Sequence, residues 1–134
     1  MIDLENEVFT TVATALRAEF DGIYVTGEYV ARPDAFPAVF IIEMDNTVYR
    51  GGIDSGRIEN FADVMYQVDV YSNKSRGRKA EAKAIAAKVD EQFSRMGFVR
   101  TFLNPVPNMH DATIFRITAR YQGRVDTDKN VYGR

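Results

Sequence analysis

The residues able to carry chemistry are few. The chain has no cysteine and a single histidine, His110, which stands beside Asp111 in a Pro- and Asn-rich stretch. Without cysteine there is no disulfide, no thiolate nucleophile and no thiolate metal site. A lone imidazole can act as a general base or as one metal ligand, but no second histidine completes a triad or a zinc site around it. His110 is therefore read as a turn residue without a catalytic role.

Gly51-Gly52-Ile53-Asp54-Ser55-Gly56-Arg57-Ile58 echoes a phosphate-binding loop. The echo fails at the working positions, where Arg57 replaces the phosphate-reaching lysine and Ile58 replaces the hydroxyl that holds Mg²⁺. The segment also leads into a strand, so no helix N-terminus faces an anion. Glu43, Asp45, Asp63 and Asp69 fall on strands or turns with no distinguishing neighbour, and spacing alone does not show whether two carboxylates face each other across a pocket. No run has the density of a calcium loop. No catalytic, cofactor-binding or metal residue is assigned, and the chain is expected not to be an enzyme.

Charge is more informative. The formal net charge is −2, but residues 1–70 carry −9 and residues 71–134 carry +7. Such a split fits a nucleic-acid patch, complementary faces that meet when copies associate, or two solvated charge sets that mix on folding. The densest basic cluster is Lys74, Arg76, Arg78 and Lys79. It stands at the start of a helix, where the dipole favours acids; the cluster reads either as a solvated basic loop or as the contact for an acidic neighbour on a partner chain or on nucleic acid. Aromatic residues do not interleave with these cations, so they do not form a stacking platform for single strands.

The elements that position these groups follow from periodicity. Leu4, Val8, Val12, Leu16 and Phe20 recur every four residues and predict a helix over 3–20, capped by Asp3 and ended by Asp21-Gly22. Ile23 to Val30 alternates as a strand, and the two prolines of 32–37 make a loop. Ala38 to Met44 is a buried strand, Asp45-Asn46 a turn, and Thr47 to Arg50 a return segment. Residues 58–71 form a long strand with Val64, Tyr66, Val68 and Val70 on its core face. An Ala-rich helix over 76–96 has Ile85, Val89, Phe93 and Met96 as its stripe and Gly97 as its cap. Phe98 to Leu103 is a strand closed by Asn104-Pro105. Residues 111–124 form the last strand, with Phe115, Ile117, Ala119 and Tyr121 facing one way and Arg116, Thr118 and Arg120 the other. Val125 to Arg134 has no core pattern and reads as a flexible arm.

This order predicts an α+β fold: a mostly antiparallel or mixed sheet with two helices on one face, plus extended loops and the C-terminal arm. Residues 1–124 form one domain and 125–134 the arm. With 134 residues, 46% apolar and 27% charged, the chain suits one ordinary core. The N-terminus lacks the basic start and apolar run of a signal peptide, and no stretch is long enough to span a bilayer. A cytosolic origin without membrane partners is expected, unless the chain leaves inside a larger particle.

Several segments together resemble the tail terminator (tail completion) proteins of long-tailed bacteriophages. They are the strand Tyr66 to Ser72, the Gly77-to-Asp90 turn and helix, the break Met96-Gly97-Phe98 with Arg100, and the strand Ile114 to Tyr121 leading to Gly123-Arg124-Val125-Asp126. The amphipathic helix Leu4 to Phe20 also fits, while 23–60 matches only as strands and loops. The resemblance implies a homohexameric ring that docks on the last ring of the tail tube, stops its polymerisation and offers a surface to the head connector. Its partners would be further copies of itself, the tail tube protein and the connector, with DNA only in transit through the channel. Its place would be the tail–head junction of the virion, after assembly in the host cytoplasm. The family has no catalytic motif to carry over, so partner contacts are assigned to segments: the 45–57 loop, the 74–79 cluster and the 125–134 arm. Within them the candidates are Asp45, Arg50, Arg57, Lys74, Arg76, Arg78, Lys79, Asp126 and Tyr132. Another head–tail joining or minor capsid protein, or a small ligand-binding or enzymatic domain using His110 or strand acids, are the alternatives.

Overall fold

The computed structural model describes residues 1–52, 60–108 and 111–133. The first helix, α1 (Glu5–Glu19), buries Val8, Val12, Ala13 and Leu16. Glu5 and Glu7 sit in its first turn, at the positive end of the dipole. The helix starts two residues later than residue 3: its cap position is Leu4, without a side-chain cap bond, and Asp3 acts from one position earlier by accepting the Glu5 N–H at 3.1 Å.

β1 is only Tyr24–Thr26, shorter than the alternation to Val30 suggested. Just past it, Thr26 Oγ1 accepts from the N–H of Glu28 at 3.2 Å and donates to its carbonyl at 3.3 Å. A side chain that satisfies the backbone locally turns the chain away from the ladder.

β2 (Ala38–Val48) corrects a second expectation. Asp45-Asn46 is no turn; the strand runs through it with a bulge between Glu43 and Asp45. The polar pair is accommodated because Asn46 Nδ2 donates to the Ile2 carbonyl at 2.8 Å and Asp45 accepts from Thr47 Oγ1 at 2.8 Å. The return segment is thus the second half of the same strand, followed by a 3₁₀ turn at Arg50–Gly52.

β3 (Phe61–Ser72) crosses the middle of the sheet, with Ala62, Val64, Tyr66, Val68 and Val70 all buried on one face. After it comes α2 (Arg78–Met96), with Ala82, Ile85, Ala86, Val89 and Phe93 turned to the core. The helix ends at Gly97, whose φ of 99° is left-handed and whose N–H reaches back to the Ser94 carbonyl. β4 (Val99–Val106) runs past Leu103 and through Pro105. It is an edge strand, where a missing N–H is tolerated.

β5 (Phe115–Asp126) begins later than residue 111 because Asp111 Oδ1 accepts from both the N–H and the hydroxyl of Thr113 and holds a turn there. It continues past residue 124, where the sequence suggested that the arm begins. Val125 is fully buried, and β6 (Val131–Tyr132) folds back antiparallel on β5. Val125 and Val131 are separated by five polar residues and so give no periodicity, which left their core contacts without a readable pattern.

The strand order is β1-β2-β3-β5-β4, with β6 also on β5; β1 and β2 are parallel and the other pairs antiparallel. The fold is α+β, with α1 and α2 sharing one core with the inward residues of β2, β3 and β5. Phe93 and Tyr121 stack at the centre of that core, and Phe98 and Tyr66 close around Phe93.

Candidate protein-interaction surface

Alternation along β3 and β5 puts a second set of residues on the sheet face away from the helices. In register these are Asp63 opposite Arg124, Met65 opposite Gln122, Gln67 opposite Arg120, Asp69 opposite Thr118, and Tyr71 opposite Arg116. The pairs bond across the strands. Asp69, 8% exposed at its side chain, accepts from Thr118 Oγ1 at 2.5 Å, Arg116 Nη2 at 2.9 Å and Gln67 Nε2 at 3.0 Å. Arg124 holds Asp63 through Nε at 2.8 Å and Nη2 at 3.3 Å, and its guanidinium lies 3.6 Å from the centre of the Tyr49 ring. The hydrogen bond to Asp63 raises the Arg124 pKa further above its ordinary value.

Arg120 differs from its two neighbours. Its Nε donates to Gln67 Oε1 at 3.0 Å and its guanidinium sits 5.5 Å from the centre of the Phe102 ring. Among the described residues no carboxylate lies within ion-pair distance of it. Arginine–aromatic pairs of this kind are the side chains most enriched at protein interfaces.

On the helix side, Tyr66 donates its hydroxyl to Glu43 Oε1 at 3.2 Å, and Tyr121 donates to Asp90 Oδ1 at 3.0 Å, where Arg100 also pairs at 3.1 Å. Burial, together with these carboxylates, pushes both phenols far up, so they remain neutral donors. Glu43, Asp3 and Glu5 place a carboxylate oxygen each within 4.8 Å of one another. Burial, then the charge of Glu5, raises the Glu43 pKa. Three such oxygens amount to at most half the shell of a hard cation. Their like charges also repel one another.

The candidates nominated from sequence do not form one patch. Asp45 stands exposed on β2 rather than in a loop, beside Asp63 and Arg124 in a shallow hollow of about 340 Å³. Arg50 is exposed in the 3₁₀ turn, while Arg57 and His110 lie outside the described residues. Lys74, Arg76 and Lys79 are exposed and Arg78 is half-buried, with no carboxylate within ion-pair distance among the described residues. The conflict with the helix dipole is eased by Glu81 in the first turn, which accepts from Ser72 Oγ at 2.6 Å.

Asp126 and Tyr132 are engaged with each other. The Asp126 carboxylate accepts from the N–H groups of Asp128 and Asn130, both at 2.9 Å, and from the Tyr132 hydroxyl at 3.1 Å. The Asn130 backbone bond is the main reason its pKa is lowered. Asp126 thus organises the β5–β6 hairpin. The reading of single residues passed over Gln67, Arg120 and Arg124. The signal was present in the polar alternation of 116, 118 and 120, but pairing with β3 becomes visible only in register.

The molecule therefore defines a class: an α+β chain with one sheet face under two helices and the other a bonded polar ladder. No protein-family model and no curated protein matches it. Among solved structures it is similar to a chain of the virion of a native gene transfer agent (GTA) particle, at 20% identity and a TM-score of 0.55. The alignment covers 87% of this chain and 92% of that one, so the likeness in fold runs almost end to end.

Proposed function

We propose that the protein is a structural component of a phage-like virion and, in finer terms, a tail terminator. In this role a ring of copies caps the tail tube, halts its polymerisation and presents a surface to the head connector. The observation that carries the reading is the nearly end-to-end likeness in fold to a chain of a GTA virion. The arginine–aromatic ladder supports it, since a large polar face with prearranged side chains suits contact with other chains. The exposed cations Lys74, Arg76 and Lys79, with Arg78, are assigned to a second partner contact, and Asp45 and Arg50 to the border of the ladder. The region beyond residue 124 is assigned to docking as well.

The test is to mix the purified chain with polymerising tail tube protein and image the product. Tubes of arrested length with extra density at one end are the expected result. Tubes that grow unchecked and bare would overturn the terminator role. Binding instead to the head side of isolated connectors would favour the second reading, another head–tail joining protein, which draws on the same fold likeness.

A further inference from the structure

Arg120 is the one arginine of the ladder whose charge no described carboxylate meets, yet its side chain is held. Gln67 Oε1 fixes Nε, Gln67 Nε2 is in turn bonded to Asp69, and the Phe102 ring lies beside the guanidinium. With Nε engaged, the two terminal nitrogens remain as an end-on fork, the geometry that binds a carboxylate through two hydrogen bonds. Arg120 is exposed, so the fork is offered to a partner.

A nucleic-acid backbone fits this face poorly. The other two arginines of the ladder already carry carboxylates, Asp69 on Arg116 and Asp63 on Arg124, so a run of phosphates along it meets alternating charge. A single carboxylate meets only the fork. The chain itself offers that group on its opposite side, where Asp3, Glu5 and Glu43 crowd together on the helix side of the sheet. Among the described residues no cation lies within ion-pair distance of any of the three.

Register relates the two places. Gln67, the partner of Arg120, is next to Tyr66, the partner of Glu43. Fork and acids therefore lie at one height along the strands, on opposite faces, offset laterally by two strand spacings, about 10 Å. A contact between them joins different faces of two copies and is therefore head-to-tail. A head-to-tail contact gives a closed ring where the rotation between copies closes and a filament where it does not.

We propose that Arg120 of one copy docks on the Asp3–Glu5–Glu43 side of a second copy, forming the head-to-tail contact between subunits. The inference rests on the ring-forming reading above and names the contact it uses. The experiment is sedimentation velocity of the whole chain across protein concentration at low and high salt, with folding followed by circular dichroism. The wild-type chain is expected to self-associate, more tightly at low salt. Arg120→Glu should weaken association about tenfold or more with an unchanged fold. Arg120→Lys, which keeps charge but loses the fork, should also weaken it, and Arg120→Glu combined with Glu5→Arg should restore it.

A wild-type chain that stays monomeric at every concentration and salt overturns the proposal, as does an Arg120→Glu chain that associates as the wild type does. Failure of the double variant to regain association also overturns it. If Arg120→Glu instead abolishes binding of a short DNA duplex and leaves association intact, the face is a nucleic-acid site and the proposal falls. Association through Arg120 by a chain that never caps tail tubes would leave this contact standing and remove the terminator role alone.

Discussion

Phe93 of α2 and Tyr121 of β5 lie face to face, with ring centroids 4.2 Å apart and planes inclined by 4°. The Tyr121 hydroxyl also donates to Asp90, one turn earlier on the same helix. A single strand residue thus fixes α2 through an apolar contact and a polar one.

Phe93→Ala should destabilise the fold by about 3–5 kcal/mol, since it opens a cavity beside Tyr121, Tyr66 and Phe98. Tyr121→Phe keeps the stack and loses only the hydroxyl, so about 1 kcal/mol is expected. Arg100 still pairs with Asp90 in that variant. Urea denaturation read by circular dichroism separates the two, and equal losses would mean that the stack contributes nothing beyond the hydrogen bond.

Asp69→Ala leaves Arg116 and Thr118 without their shared acceptor. Removing one partner of a fully buried pair costs about 3–5 kcal/mol. Arg116 is 28% exposed and regains water, so about 2–3 kcal/mol is the expected loss in a thermal or urea melt. A change within about 0.5 kcal/mol would show that the ladder is already solvated.

Glu43 supplies a pH test. Its folded pKa is raised, by burial first and by Glu5 next, so the ionised carboxylate costs stability above that pKa. The cost is relieved as pH falls through the folded pKa toward the ordinary value of 4.5. Glu43→Gln retains an acceptor for the Tyr66 hydroxyl and should raise the melting temperature at pH 7. Its advantage should shrink on acidification, and an advantage that is constant between pH 7 and pH 4 would exclude the charge as its source.

Two glycines with positive φ make a matched pair. At Gly22 (φ 72°) an added Cβ meets nothing within 4 Å, so Gly22→Ala should cost about 1 kcal/mol of left-handed strain. At Gly97 (φ 99°) the same Cβ would stand 2.7 Å from the Val131 carbonyl oxygen. Gly97→Ala should cost about 2 kcal/mol or more, because backbone must move as well. Amide exchange should then quicken at Val131 and Tyr132; a loss no greater than that of Gly22→Ala would mean that the hairpin yields freely.

The fold class was legible because the strongest periodic signals came from residues that the core requires. Val64, Tyr66, Val68 and Val70 alternate, and Val8, Val12 and Leu16 recur at helical spacing. Legibility failed where one local bond outweighed pattern, as at Thr26, or where a strand absorbed polar residues through a bulge, as at Asp45-Asn46. The surface was less legible still. Arg116 and Arg120 could be assigned to a face from alternation, but Gln67 acquires its role only by standing opposite Arg120. Pairings between residues 53 positions apart leave no trace in local composition.

The two ends of the sheet bear on how copies of the chain can be crowded together. One end is β1, three residues long, and the other is β4, interrupted by Pro105 and by the register shift between Arg100 and Phe102. β1 covers only Ala38–Phe40, so the second half of β2 keeps an open edge, and there the bulge between Glu43 and Asp45 breaks the flat template on which strands of separate molecules zip together. Irregular margins of this kind favour contacts through side chains, where geometry is specific, over contacts through backbone.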